Sequence, residues 1–284
     1  MKIDAHQHFW CYNESDYSWI NDQMKVLQRD YLPDNLLPEL KNIGFEGSIA
    51  VQARQSLEET MWLLELADKY DFIKGVVGWV DLCSGEIENQ LEEFSKNPKL
   101  VGVRHVIHDE PDNYFMASDN FQYGISLLGK YGLTYDLLVF PKHLQLAAEL
   151  VSHFPDQKFV LDHIAKPLIK DHVKSPWNKD IIKLAQNSNV YSKLSGMVTE
   201  ADWKNWRASD FQYYLDTAFD AFGENRLMIG SDWPVCNVAG NYREIMNIVI
   251  EYFSNIDNEI LNKILGENCM HFYLEKQTQL HRIS

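Results

Sequence analysis

Short runs rich in apolar and β-branched residues recur along the whole chain, and each is followed by a stretch whose apolar positions return every three or four residues. The runs predict strands over 2–8, 47–53, 73–80, 100–107, 133–140, 158–164, 189–194 and 226–231. Between them the pattern predicts helices. Over 57–70, Leu57, Met61, Leu64 and Ala67 return at turn-like intervals; over 141–154, Pro141 stands where a first helical turn tolerates a residue without an N–H. An unbroken βα alternation implies parallel strands covered by helices on both sides, and eight of them favour a closed (β/α)₈ TIM barrel, an α/β fold, over an open doubly wound sheet. Residues 1–284 read as one barrel domain, in which 9–40 is a long first βα loop carrying helical pieces.

Composition narrows the function more than the fold. The chain has 284 residues, 45% hydrophobic and 24% charged, which suits a globular protein with a sizeable core. Its net charge of −15, without a cluster of Lys and Arg, argues against a nucleic-acid partner. No run reaches the roughly 20 apolar residues of a membrane helix, and the opening MKIDAHQHFW has no signal-peptide stretch, so no membrane partner and a cytoplasmic location are expected. Cys11, Cys83, Cys236 and Cys269 show no CxxC spacing and are expected as free thiols. The first strand runs into His6-Gln7-His8 rather than a GxGxxG turn, and no P-loop is present, so no nucleotide cofactor is expected. The expected partner is a small-molecule substrate; the oligomeric state is not legible.

In a barrel the C-terminal ends of the strands share one rim, where side chains reach a common site. The predicted strands end in His6 and His8, Gln52 and Arg54, Trp79 and Asp81, Arg104 with His105 and His108, Asp136, Asp162 with His163 and Lys166, Lys193 and Ser195, and Asp232 followed by Trp233. His6 and His8 are two apart on a strand and project to one side, able to grip one divalent ion or one substrate oxygen. Asp232 follows the last strand, and strand eight adjoins strand one in a closed barrel, so the three should meet. Asp232 alone would read first as a cap of the turn at Trp233-Pro234, a preference that the His pair on strand one reverses, and His163 could be a buried histidine bonded to Asp162. Arg104 and His105 are successive, so only one faces the lumen. His143, His153, His172, His271 and His281 fall in helical or terminal contexts and are expected at the surface. Trp79 and Trp233 are expected as apolar faces of a pocket for a polyhydroxylated ring, with Gln52, Arg54, Arg104, His105, Asp136, Lys166 and Ser195 as its polar contacts.

These residues resemble the amidohydrolase superfamily, in particular the amidohydrolase-2 branch that includes sugar-lactone lactonases. The carriers are DAHQHFW at 4–10, GVRH at 102–105, FVLDHIAKP at 159–167, KLSG at 193–196 and GSDWP at 230–234, an ordered set over nearly the full length. The resemblance implies His6 and His8 as the strand-one pair, His163 as the strand-six histidine, and Asp232 as the aspartate handling the proton of the attacking water. It departs from the binuclear pattern, since strand four ends in Arg104 and His105 and offers no lysine for carbamylation. One divalent ion on His6, His8 and Asp232, zinc by the chemistry of imidazole ligands, or none, is therefore expected. The implied activity is hydrolysis of a sugar-acid lactone of the L-fucono- or L-rhamnono-lactone type. Its carbonyl would be polarised by the ion, or by imidazole and Arg104 or Lys166. Two other readings share the rim: a nonoxidative decarboxylase, and a barrel that binds a sugar acid without catalysis.

Overall fold

The computed structural model describes residues 1–275. Its eight strands are β1 Ile3–Gln7, β2 Gly47–Val51, β3 Ile73–Gly78, β4 Leu100–His105, β5 Thr134–Leu137, β6 Phe159–Leu161, β7 Val190–Leu194 and β8 Leu227–Ile229. They pair in parallel and in sequence order, and Gln7 bridges Trp233 to close β8 against β1. Each strand is followed by a helix: α1 Pro33–Asn42, α2 Leu57–Lys69, α3 Ile87–Phe94, α4 Asp119–Leu128, α5 Leu144–His153, α6 Trp177–Ala185, α7 Ala208–Phe222 and α8 Tyr242–Ser254. The (β/α)₈ barrel expected from the pattern is the fold observed.

Local chemistry sets the helix starts. Ser56 accepts from the N–H of Glu59 at the head of α2, and Asn241 and Glu244 form a reciprocal box at the head of α8. The strands are shorter than their apolar runs. β6 keeps only Phe159–Leu161 of the expected 158–164, because Asp162 opens a turn in which His163, Ile164, Ala165 and Lys166 all adopt positive φ. The 9–40 stretch holds a 3₁₀ segment, Asp22–Leu27, and α1, and is tied down where Trp10 and Tyr31 exchange backbone hydrogen bonds.

The large core lies between barrel and helices. A second apolar cluster gathers Ile3, Ile49, Val77, Val101, Val160 and Met228 from six strands with Cys269, Phe272 and Tyr273 from the C-terminal helical stretch. Gly266 of that stretch lies against the backbone of Met1 and Ile3, so the stretch plugs the barrel at the N-terminal ends of the strands. Among the described residues no helix is long and apolar enough to cross a membrane, and the four cysteines are free.

Candidate active site

Asp4 pins the two ends of the barrel together. Its buried carboxylate accepts from the backbone N–H of Ser231 (2.9 Å), the Ser231 hydroxyl (2.6 Å) and the Tyr242 hydroxyl (3.0 Å). Burial raises the Asp4 carboxyl to about 6 against these bonds. Across the same seam the Asp232 N–H donates to the carbonyl of His6 and the His8 N–H to that of Trp233. Asp232 is thereby brought onto the strand-one histidines, and it holds a left-handed φ of 57°. Such a conformation costs energy in a non-glycine residue and is maintained by its surroundings.

His8 Nδ1 lies 2.8 Å from the carbonyl of Val51. A carbonyl only accepts, so Nδ1 carries a proton, and in the neutral ring Nε2 then presents a lone pair. That lone pair faces His6 Nε2 at 3.2 Å and Asp232 Oδ1 at 3.3 Å. His6 Nε2 is 3.8 Å and His163 Nε2 3.9 Å from the same Asp232 oxygen. His163 is held from behind by Ser195 Oγ, 2.8 Å from Nδ1. Burial holds His6 and His163 well below the ordinary imidazole value, against the nearby Asp162 and Asp232 carboxylates. Burial works against the charge of Asp232, but His163 and His8 outweigh it and hold the carboxyl below its usual range.

His6 Nε2, His8 Nε2 and Asp232 Oδ1 converge in one buried corner, and two imidazoles with one carboxylate match a borderline divalent ion. His6, His8 and Asp232 place ligand atoms within 4.8 Å of one another. His6, Asp162 and His163 do so as well, but Asp162 already answers Arg104 Nη1 at 2.9 Å and Lys193 Nζ at 3.0 Å. The first set therefore fits a divalent ion better.

Beneath His6 lies a buried ionic network. Lys193 Nζ is 2.5 Å from Asp136 Oδ2 and 3.2 Å from His6 Nδ1. Burial opposes its charge, yet Asp136 and Asp162 raise its pKa, so the ammonium persists. Burial likewise opposes the charge of Asp162, whose carboxyl Lys193 and His6 nonetheless hold well below the usual range. Arg104 Nη1 is 3.3 Å from His6 Nε2, and its other terminal nitrogen donates to the Gln52 carbonyl.

Above the cluster opens a cavity of about 330 Å³, lined by His8, Arg104, His163, Lys166 and Asp232 together with Trp10, Trp19, Met24, Val106, His108, Asp109, Leu138 and Val235. Arg104 is thus the inward member of its pair. His105 faces the opposite way, between Trp79 Nε1 (3.2 Å) and Glu110 Oε1 (2.7 Å), with its ring on Phe115. Lys166 Nζ pairs with Glu200 at 2.8 Å on the cavity wall.

Several expected contacts do not line this cavity. Trp233 is buried against Phe9 and Tyr31, and Trp79 is turned onto His105, so neither forms the expected apolar face. Gln52 is buried and donates to the carbonyl of Arg104. Asp136 is sealed in the network below, Ser195 stands behind His163, and Arg54 pairs with Asp16 outside the cavity. His143, expected at the surface, is buried and accepts from the N–H of Phe140. His153, His172 and His271 are exposed, and His281 lies outside the described residues.

The aromatic faces come instead from Trp10 and Trp19 of the long first loop, which alternation along strands could not place. His108, just past β4, was visible as a rim residue but not as a wall of the cavity. Burial and the neighbouring Lys166 and Arg104 push it down to about 3, so it stays neutral.

Known proteins resemble this chain over most of its length. The chain is 42% identical to an L-fucono-1,5-lactonase of Burkholderia multivorans, across 88% of this chain and 87% of that one. It is 31% identical to an L-fucono-1,5-lactonase of Burkholderia ambifaria, across 96% and 95%. A crystal structure of a Burkholderia multivorans amidohydrolase with bound zinc superimposes with a TM-score of 0.92, at 40% identity and 96% and 99% coverage. The amidohydrolase family model matches residues 3–274, from the first strand to the C-terminal plug, and the chain belongs to that family.

Proposed function

We propose that this chain hydrolyses a sugar-acid lactone of the L-fucono- or L-rhamnono-lactone type to the open aldonic acid. One observation carries the reading: a buried carboxylate, Asp232, meets two imidazole nitrogens at the floor of a cavity walled by hydrogen-bonding groups and two tryptophans. The relatives named as L-fucono-1,5-lactonases supply the substrate class.

Opening a lactone requires a water made nucleophilic and a proton for the departing ring oxygen. Asp232, held ionised, accepts the proton of a water that adds to the lactone carbonyl carbon. As the C–O bond of the ring breaks, the same carboxyl returns that proton to the leaving oxygen. A single zinc ion held by His6, His8 and Asp232 would supply Lewis acidity at the carbonyl. Arg104 and Lys166 place fixed positive charge on the cavity wall, where negative charge develops and where the product carboxylate forms. His108, neutral with one buried nitrogen unpartnered, takes a sugar hydroxyl, and Trp10 and Trp19 lie against the C–H faces of the ring.

The test is a pH-indicator screen of aldonolactones on metal-analysed protein, with amides and carboxylated aromatic rings in parallel. Faster opening of L-fucono- or L-rhamnono-lactone than of the other classes is the expected result. No acceleration over spontaneous hydrolysis, alongside carbon dioxide release from a carboxylated ring, would replace this reading with the decarboxylase.

A further inference from the structure

The C-terminal plug reaches the site through a chain of four buried groups. The Tyr273 hydroxyl lies 2.9 Å from both oxygens of Asp136. Asp136 holds Lys193 Nζ at 2.5 Å, and Lys193 stands 3.2 Å from His6 Nδ1. His6, Asp136, Asp162 and Lys193 are 0% exposed and Tyr273 is 3% exposed, so bulk solvent does not screen these contacts.

His6 Nδ1 has two neighbours with opposite demands. Lys193 only donates, and would fix the proton of a neutral imidazole on Nε2, facing the cluster. Asp162 Oδ1, at 3.3 Å, only accepts, and would fix the proton on Nδ1, leaving the Nε2 lone pair toward His8 and Asp232. The two cannot both be satisfied by one neutral ring. Arg104 Nη1, 3.3 Å from Nε2, only donates and favours the Nδ1–H form; what opposes that form is the Lys193 ammonium, whose protons Asp136 and Asp162 compete for.

We propose that Tyr273 is a positioning residue: its hydroxyl orients Asp136 so that the protons of Lys193 stay on carboxylates rather than on His6 Nδ1, and His6 donates Nδ1–H to Asp162 and turns its Nε2 lone pair onto the ion-binding cluster. The part of the chain that seals the far end of the barrel thereby sets the tautomer of a ligand at the active rim. Outer partners of ligating histidines commonly change metal affinity or activity about 10- to 100-fold.

The inference rests on the ion site proposed above and is tested with Tyr273→Phe, which keeps the ring against Phe272 and removes only the hydroxyl. Zinc affinity, measured by competition with a chromophoric chelator, is expected to fall about 10-fold. Lactone kcat should fall by a similar factor while KM and Tm stay near those of the parent. Phe272→Leu is the comparison, since it loosens the plug without touching the hydroxyl; it should lower Tm and leave zinc affinity and kcat unchanged. Parental zinc affinity and kcat in Tyr273→Phe would overturn the proposal, as would an equal loss in Phe272→Leu. Should Tyr273→Phe not fold, Asp136→Asn under the same two readouts decides. A parent that opens no lactone would defeat the substrate reading alone, since zinc affinity still ranks the variants; a parent that opens lactones but binds no zinc would overturn the inference and leave the substrate reading standing.

Discussion

Gly196 faces the imidazole of His163 so closely that a Cβ built on it would lie 2.7 Å from the ring Cγ and 3.1 Å from Asp232 Oδ2. Only glycine fits there, because its φ of +59° also places it in the left-handed region. Gly196→Ala should therefore displace His163 and Asp232 together and lower kcat by at least ~10-fold, as misplacing a reacting group by about an ångström does. Gly44→Ala is the matched comparison: its φ is +75°, it ends α1 with the Phe45 N–H on the Leu40 carbonyl, and a Cβ there meets nothing within 4 Å. It should carry only the backbone penalty of roughly 1–2 kcal/mol in stability and keep kcat. Melting curves and kcat for the two variants separate strain from displacement; equal kcat in both would refute a special role for the Gly196 contact.

Asp232→Asn keeps the size of the side chain and removes the proton acceptor. We expect kcat to fall by roughly 10²-fold or more with Tm and KM close to the parent. If Asp232 served mainly to shape the turn into Trp233, asparagine would replace it with little loss, and near-normal kcat would show that.

Removing the divalent ion with a strong chelator should abolish lactone opening, and one equivalent of zinc should restore it. His8→Ala should not regain activity at that concentration, because it removes a lone pair fixed toward Asp232 by the Val51 carbonyl. Elemental analysis finding two tightly held ions per chain would contradict the single site.

Glu59 gives a pH-dependent stability. Its buried carboxyl accepts from the N–H groups of Ala53 and Arg54, and burial raises it from 4.5 to about 7 against those bonds. A raised carboxyl binds its proton more tightly in the folded chain. The penalty for ionising it is thus absent below about pH 4, grows as the pH rises toward 7, and is complete above, at about 3 kcal/mol. Glu59→Gln keeps an acceptor for both N–H groups and should melt above the parent at about pH 8, with the gap closing toward about pH 5. A gap independent of pH would exclude Glu59 as its source.

What was legible in the sequence follows from periodicity. Period-two spacing put His6 and His8 on one side, and the ring order of strands put Asp232 beside them; both need only backbone geometry. Alternation also stated that Arg104 and His105 diverge, but not which faces inward, because the parity of a strand is set by its neighbours. Trp233 was misplaced as a pocket wall because adjacency to Asp232 does not say where a side chain turns after a residue of left-handed φ. Trp10, Trp19 and Met24 were invisible for another reason: the path of the 9–40 stretch is fixed by long-range contacts, such as the packing of Trp10 on Tyr31. Lys193 and Tyr273 lie on opposite sides of a buried charge balance that no local pattern encodes.

The seam between first and last strands has a consequence for how the protein is made. His8 and Asp232 are 224 positions apart, and Asp4, which joins the seam, waits for Ser231 and Tyr242. A nascent chain leaving the ribosome can therefore pair its strands from β1 to β7 while its chemistry stays unassembled. Only when β8 emerges and docks against the oldest part of the polypeptide do base and histidines meet, so truncated translation products are inert rather than half-active.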